Sequence, residues 1–587
     1  MRKYYSHINI AIALILYIIL ILPILKGEFY SSLDFDNQVM HWRSFSSLAL
    51  EENKPGIWNP YLLRGYSMLG EGQGGILHPD HIVLYKLFPL KLALSLELAL
   101  VFPFCFLGGY LLLRRFNCKK YLAISGATAI SLSSFALVHY QHINMLWVYA
   151  HLPLLLYFVD RFFKSEHYKN GVFILILIAS MIFIGSPQMT WLCALAVCLF
   201  ILFNCATKRY ELTKRKIAIL GLSSLAAVLI GMMQLVPTYD YLENSNRSET
   251  SNAYRNSFSV HPASYIYYLS PYSIDKQGTL GDILEDKNYT ITLENYAYPG
   301  AVLFFIVLCA LVFHKEKDRK YWLALSICVL LILLASGRYT GLNNLMAYMP
   351  LVGKFQAPVR YTSILNIFFV IAGILFLNRL TDKSFNKRVF ILPIIILSFF
   401  LILALSTSEI RLPFIDRIVS FELNSFACIM LGPLVILIIS FLLYKHNKNT
   451  ELSVFIISLF ISVECFALVY MHYTKERTNL DTLKQIKQDM KKTAKLYRHY
   501  DVMNAPALQG HYQSYGYLGL APKEKLSLYS TSLSPKLLIR NIRLSSTSKG
   551  NFKNDKGEDS VVNIPNCPPR FRLVQNLTFS EDSINDS

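Results

Sequence analysis

Apolar runs of about 20 residues, each long enough to cross a bilayer as a helix, recur along most of the 587-residue chain. About thirteen are expected, over 7–25, 92–113, 121–139, 143–159, 171–186, 188–205, 217–236, 298–313, 321–336, 360–377, 389–406, 425–444 and 452–473. Such a pattern confines the chain to an all-α polytopic membrane fold, because only a helix satisfies its own backbone in lipid. Composition agrees: the chain is 53% hydrophobic and 16% charged, where soluble domains carry about 25% charge. Arg2 and Lys3 precede the first span and no small-residue cleavage site follows it. That span is expected to stay as a signal anchor.

The net charge is +19, and its distribution explains it. Alternate short loops are basic, among them Arg114, Arg115, Lys119 and Lys120, then Arg161, Lys164 and Lys169, then Lys208, Arg209, Lys214, Arg215 and Lys216. The turns between them, around 141–144 and 185–188, carry no Lys or Arg. The positive-inside rule then places the N-terminus in the cytoplasm and loops 27–91, 237–297, 337–359 and 407–424 outside. The charge is a topology signal, and nucleic acid is not an expected partner. Ten cysteines, mostly in apolar runs and without a C-x-x-C pair, read as small buried apolar residues. Residues 474–587, with stretches such as KLSLYSTS and FRLVQNLTF, are expected to form a small β-containing exterior domain beside the 1–473 membrane domain.

The chemistry concentrates in the exterior loops. Loop 27–91 holds Asp34, Asp36, Glu71 and Asp80 at the membrane edge, where carboxylates are costly. Asp34 or Asp36 can take a proton from an acceptor hydroxyl, or hold a divalent cation (Mg or Mn) against a phosphate. The plainer reading is a cap on the helix that begins near Gln38. The run WNPYLLRGYSMLGEGQGGILHPD sets Trp58, Tyr61, Tyr66 and His78 among glycines. Aromatic faces stack on sugar rings, and the spacing is not that of a phosphate-binding P-loop. His139 and His142 make a metal pair only with further ligands, and interfacial hydrogen bonding is the simpler role. Arg338, Lys354 and Arg360 stand outside against the charge trend; Arg360, near Pro358, suits a lipid phosphate. Charges inside spans are sparse, chiefly Glu97 and Glu464.

Seven segments in order resemble the YfhO family of bacterial membrane proteins, whose members look like glycosyltransferases of the GT-C fold. They are the Asp34-x-x-x-Gln38 pattern with Trp42; WNPYLLRGY with the later His78-Pro79; FALVHYQHINMLWVYAHLP; GSPQMT with Pro187 and Gln188; QLVPTYDYLENSNRS with Gln234 and Pro237; ENYAYPG with Glu294, Tyr298 and Gly300; and QAPVRY with Pro358 and Arg360. His41 stands where relatives often have Pro before the Trp. The resemblance implies a GT-C-like enzyme that takes sugar from a polyprenyl-phosphate carrier and adds it to an extracytoplasmic envelope polymer or lipid. It makes an Asp of the first exterior loop the catalytic residue, most naturally Asp34, with Asp36 the alternative. Gln38, Gln188, Glu294 and Tyr298 become substrate-side residues with Trp58, Tyr66 and His78.

The expectation is therefore an inverting sugar transfer in the bacterial cytoplasmic membrane. Arg360, with Arg64 and Arg338, would hold the donor phosphate, membrane lipids would surround the bundle, and no cofactor is demanded. Two rivals differ in class. A transporter or flippase of lipid-linked sugars would use Glu97 and Glu464. A non-catalytic envelope scaffold would work through the tail.

Overall fold

The computed structural model describes residues 4–479, apart from 31–33, 61–64, 166, 246, 249, 263, 266–297, 314–318, 350–351, 382–390, 392, 399–408, 412–417, 421–422, 448–449 and 474–476. Apart from Arg477–Asn479, the expected exterior domain lies outside the described residues, as does most of the expected span 389–406.

The chain opens with α1 (Tyr5–Leu25), a helix without a charged residue, followed by strand β1 (Glu28–Tyr30). A π-helical turn (Phe35–Val39) leads into α2 (Met40–Glu51). Strands β2 (Trp58–Asn59) and β3 (Tyr66–Ser67) form a short hairpin, and α3 (Met68–Glu71) and α4 (Pro79–Leu87) complete the loop. The bundle continues with α5 (Leu90–Arg115), α6 (Lys120–Ser131), α7 (Ser134–Val138), α8 (Ile143–Lys164), α9 (Lys169–Ile184), α10 (Pro187–Ala206) and α11 (Lys214–Glu243). After the short α12 (Asn252–Arg255) come α13 (Ala301–Phe313), α14 (Arg319–Ala335), α15 (Tyr361–Leu380), α16 (Leu423–Asn447) and α17 (Thr450–Tyr473).

Seven of the expected spans are helices long and apolar enough to cross a membrane: α1, α5, Lys120–Gln141, α8, α10, α11 and Pro358–Leu380. Four of the others coincide with α9, α13, α14 and α17, and the span 425–444 with α16. The expected span 121–139 is interrupted. Ser133 ends α6 by capping α7, its hydroxyl accepting from the Ala136 N–H, and a 3-10 turn (His139–Gln141) follows. Helix ends need such caps because their first N–H groups have no partner within the helix.

Helix α6 is buried from Tyr121 to its end, with α1, α5, α15 and α17 packed around it. Small and polar side chains hold the spans together, as expected where lipid offers no hydrophobic drive between helices. Asn9 of α1 donates to the Tyr121 carbonyl (3.1 Å), to Ser125 Oγ (2.8 Å) and to Ser458 Oγ (3.2 Å), joining three helices. Gly108 lets α5 and α8 touch backbone to backbone, since a Cβ there would lie 2.7 Å from the Leu154 nitrogen. By contrast, Leu222, Leu225, Leu229 and Met233 of α11 are exposed. An apolar face of that kind is suited to lipid.

The two ends of the bundle differ in chemistry. One end gathers the basic loops. There Asp160, fully buried, accepts from Arg115 Nε (2.8 Å), Arg209 Nη2 (2.7 Å) and the Tyr210 hydroxyl (2.9 Å), and Lys119 pairs with Glu451 at 3.3 Å. The other end carries loop 27–91, the α9–α10 turn and the turns after α14. Strand β1 pairs there with a short strand at Arg477–Asn479, Phe29 opposite Thr478.

Candidate active site

The loop end is built around the π-helical turn. Phe35 is wholly buried and stacks on Tyr140, with centroids 5.9 Å apart, and so anchors the turn against the 3-10 turn before α8. Asp34, immediately before it, does not cap the turn: its side chain bonds none of the turn's N–H groups. It reaches instead to the start of α8, where His142 Nε2 lies 2.7 Å from Asp34 Oδ2, while Gln38 Nε2 donates to Oδ1 at 3.4 Å. Both side chains of the Asp34–His142 pair keep some exposure, 26% and 17%. Nδ1 of His142 is buried with no hydrogen-bond partner among the described residues. The proton therefore sits on Nε2 and is donated to the carboxylate. Single π turns often mark functional sites because they re-aim a side chain. Asp36 lies on the same turn, and its side chain lies outside the described residues.

Behind this turn, α2 is bolted to α5. Arg43 and Glu97, both almost completely buried, form a two-pronged ion pair, Nε to Oε2 at 2.9 Å and Nη2 to Oε1 at 2.6 Å. The Tyr85 hydroxyl donates to Oε2 at 2.5 Å, and His81 Nε2 lies 3.1 Å from Oε1. Arg43 Nη1 donates to the Gly74 carbonyl, and His81 Nδ1 to the Gly75 carbonyl at 2.9 Å. Four side chains from α2, α4 and α5 thus pin the glycine run. A buried pair is tolerable only when its remaining hydrogen-bond capacity is filled in this way. The same run meets the α9–α10 turn at Gly185, whose φ is +86° and whose Cβ would collide with the Gly72 carbonyl.

Much of the glycine-aromatic run is packed into the loop end. Tyr66 is buried and its hydroxyl donates to Met68 Sδ (3.2 Å). His78 is buried with Nε2 on Ser180 Oγ (2.9 Å), which also meets His151 Nε2 at 3.0 Å; burial holds the His78 imidazole neutral, far below its usual pKa. Trp58 is the one presented outward among the described aromatic residues of the run, 56% exposed, with its ring lying over Gly65. His41 is buried, its pKa pushed down to about 3 by desolvation, and its Nε2 accepts from Asn59 Nδ2 at 2.8 Å, tying α2 to the hairpin. Glu71 is wholly buried and takes two bonds from Gln73, from its N–H (3.0 Å) and its Nε2 (2.8 Å); desolvation still raises its pKa to about 7.

The expected phosphate and substrate residues separate. Arg360 Nη1 donates to Gln188 Oε1 at 2.7 Å, and Gln188 Nε2 donates to the Gln356 carbonyl, so those two residues do come together. Arg338 lies over the Tyr339 ring at 5.9 Å, and Lys354 faces Glu243 at 3.8 Å. Tyr298 is not at a surface: it is buried, and its hydroxyl donates to Glu464 Oε1 at 3.0 Å, where the Ala301 N–H also ends. Tyr61, Arg64 and Glu294 lie outside the described residues. His139 Nδ1 donates to the Phe135 carbonyl at 3.0 Å. Among the described residues no three His, Cys, Asp or Glu side chains cluster as metal ligands.

A bundle of membrane-length helices, carrying a structured polar loop end, defines an all-α polytopic membrane protein. The chain belongs to the family described as Bacterial membrane protein YfhO, which matches residues 83–508, after the Asp34 turn. Among solved structures it is similar to ArnT from Cupriavidus metallidurans bound to undecaprenyl phosphate, at 12% identity and a TM-score of 0.43, over 86% of this chain and 84% of that one. The apo form of ArnT gives 12% identity and a TM-score of 0.45, over 91% and 88%. Arabinofuranosyltransferase AftD from Mycobacteria gives 12% and 0.38, over 63% of this chain and 25% of its own. Likeness at this level carries no argument about activity. No curated protein matches the chain.

Proposed function

We propose that the chain is a membrane glycosyltransferase that moves a sugar from a polyprenyl-phosphate-linked donor to an envelope acceptor, a teichoic acid, surface polysaccharide or lipid. The reaction would run on the outer side of the bacterial cytoplasmic membrane, where the charge pattern of the loops puts loop 27–91. Nucleotide sugars are absent there, which makes a lipid-linked donor the natural substrate. The observation that carries the reading is the Asp34 carboxylate, partly exposed at the loop end and held by His142 at 2.7 Å.

In this reading Asp34 takes the proton from the acceptor hydroxyl as the oxygen attacks the anomeric carbon. The bond from that carbon to the phosphate oxygen breaks, and the configuration inverts. Charge develops on the departing polyprenyl phosphate, where fixed cations contribute most. Arg360, oriented by Gln188, is the leading cation for that task. A flippase that moves charge through Glu97 is disfavoured, because both carboxylate oxygens are already bound by Arg43 and Tyr85. Protein reconstituted in vesicles with a labelled polyprenyl-phosphate sugar tests the choice. Acceptor-dependent appearance of labelled glycan supports transfer. Movement of the labelled lipid across the bilayer without acceptor, and no glycan formed, overturns it.

A further inference from the structure

Beside the Arg360–Gln188 pair the loop end contains a small, partly open cavity, lined in part by Gln188, Trp191, Arg255, Asn343, Phe355 and Tyr361. It is lined by the first turns of α10 and α15, two helices of membrane length, and therefore stands near the level of lipid headgroups. We propose that this cavity receives the phosphate of a membrane lipid, with Arg255 as its anion-binding residue and the aromatic side chains against the first carbons of the lipid.

The charge balance of Arg255 is the central observation. Among the described residues its guanidinium bonds neutral acceptors of its own turn: Nη1 to the Thr250 carbonyl (2.9 Å) and Oγ1 (3.2 Å), and Nη2 to Asn252 Oδ1. Nε is buried and has no partner among them. No described carboxylate lies within ion-pair distance of Arg255; the nearby Glu243 faces Lys354. A partly buried cation with neutral partners alone is an incomplete arrangement, and an anion completes it. The surroundings add positive potential. Arg247 and Arg360 both act electrostatically on Tyr254, the neighbour of Arg255, and Gln188 sits in the first turn of α10, at the positive end of the helix dipole. The walls supply the other half of the ligand. Trp191, Phe355 and Tyr361, with Leu192, Met346 and Val352, are too apolar for a site made for a small free ion. An amphipathic anion fits both halves.

Two sources carry this chemistry: the polyprenyl-phosphate donor, and a phospholipid of the surrounding bilayer. The cavity assignment stands on its own residues; only its identity as a donor pocket rests on the transferase reading. Native mass spectrometry of the full-length protein in a phosphate-free maltoside detergent separates the cases, titrating a polyprenyl monophosphate, the matching polyprenol and phosphatidylglycerol. The expected result is that the polyprenyl phosphate binds at least about tenfold more tightly than the polyprenol, and that Arg255→Gln removes that difference. Gln356→Glu, which brings a carboxylate to the cavity wall, should have the same effect. It gives a second reading should Arg255→Gln accumulate poorly. Preference for polyprenyl phosphate over phosphatidylglycerol assigns the cavity to the donor, and the reverse preference assigns it to bilayer lipid. Equal binding of polyprenol and its phosphate, or wild-type binding by either variant, overturns the proposal. No sugar transfer is read, so the result is independent of the fate of the transferase reading.

Discussion

His142 and Asp34, 108 residues apart in the chain, meet at 2.7 Å on the loop end of the bundle, the imidazole Nε2–H donating to the carboxylate. This bond fixes one oxygen of Asp34 and leaves the side chain partly open. If Asp34 is the base, His142 orients it and stabilises its charge. His142→Ala should then lower the transfer rate by roughly ten- to a hundredfold, the worth of a hydrogen bond to a charged group, with little change in KM. His142→Gln, whose amide N–H can replace Nε2–H, should recover part of the loss. A variant set in which Ala and Gln behave alike, at normal protein levels, would show that the bond does not serve the reaction.

The Arg43–Glu97 pair makes a prediction about stability. Glu97→Leu leaves a buried guanidinium without its counter-charge, which costs about 3–5 kcal/mol. Arg43→Met should cost a similar amount. Because apolar replacement of both members of a buried pair is often nearly neutral, Arg43→Met with Glu97→Leu should recover part of the loss. Recovery should be incomplete, as His81, Tyr85 and the Gly74 carbonyl would still lose partners. Thermal unfolding in detergent reads all three variants. Additive losses in the double variant would contradict the pairing.

Glu71 makes a prediction about pH. Burial raises its pKa from 4.5 to about 7, so between those values the folded protein keeps a proton that the unfolded chain releases. Its contribution is most favourable below about pH 4.5, declines as pH rises towards 7 and is flat above. The full range is on the order of 3 kcal/mol. Glu71→Gln removes this dependence, so the variant should gain thermal stability relative to the wild type at pH 8 and little at pH 4.5. An equal gain or loss at both pH values would show that Glu71 does not titrate in this window.

The bundle was largely legible because the length of an apolar run and the charge of a short loop are local properties. The break between α6 and α7 was not, since Ser131, Ser133 and Ser134 sit in an otherwise apolar run and their capping role depends on the turn they enter. At the candidate site Asp34, Arg360 and Gln188 could be named from the sequence, but none of their connections. His142 stood out only as half of a histidine pair, and nothing local joins it to a carboxylate 108 residues earlier. Arg43, His81 and Tyr85 look like ordinary loop residues. The one hint was Glu97, an isolated acid in a span, which needs a partner that the sequence does not name. Tyr66, His78 and Tyr298 are buried, which the sequence does not announce: aromatic rings beside glycines suit a sugar, but they suit a packed loop equally well. Arg255, without a counter-ion among the described residues, had no signal at all, because Thr250 and Asn252 become its partners through the turn they share.

The measurement that bears most directly on the central claim is sugar transfer by purified Asp34→Asn, compared with Asp36→Asn and wild type in the same vesicles. The amide that Asp34→Asn introduces would keep an oxygen for His142 and lose the basicity, so the change removes the chemistry and spares the contact. The account predicts a loss of at least about a hundredfold for Asp34→Asn, normal accumulation of the protein, and near-normal transfer by Asp36→Asn. Wild-type transfer by an Asp34→Asn protein would contradict it.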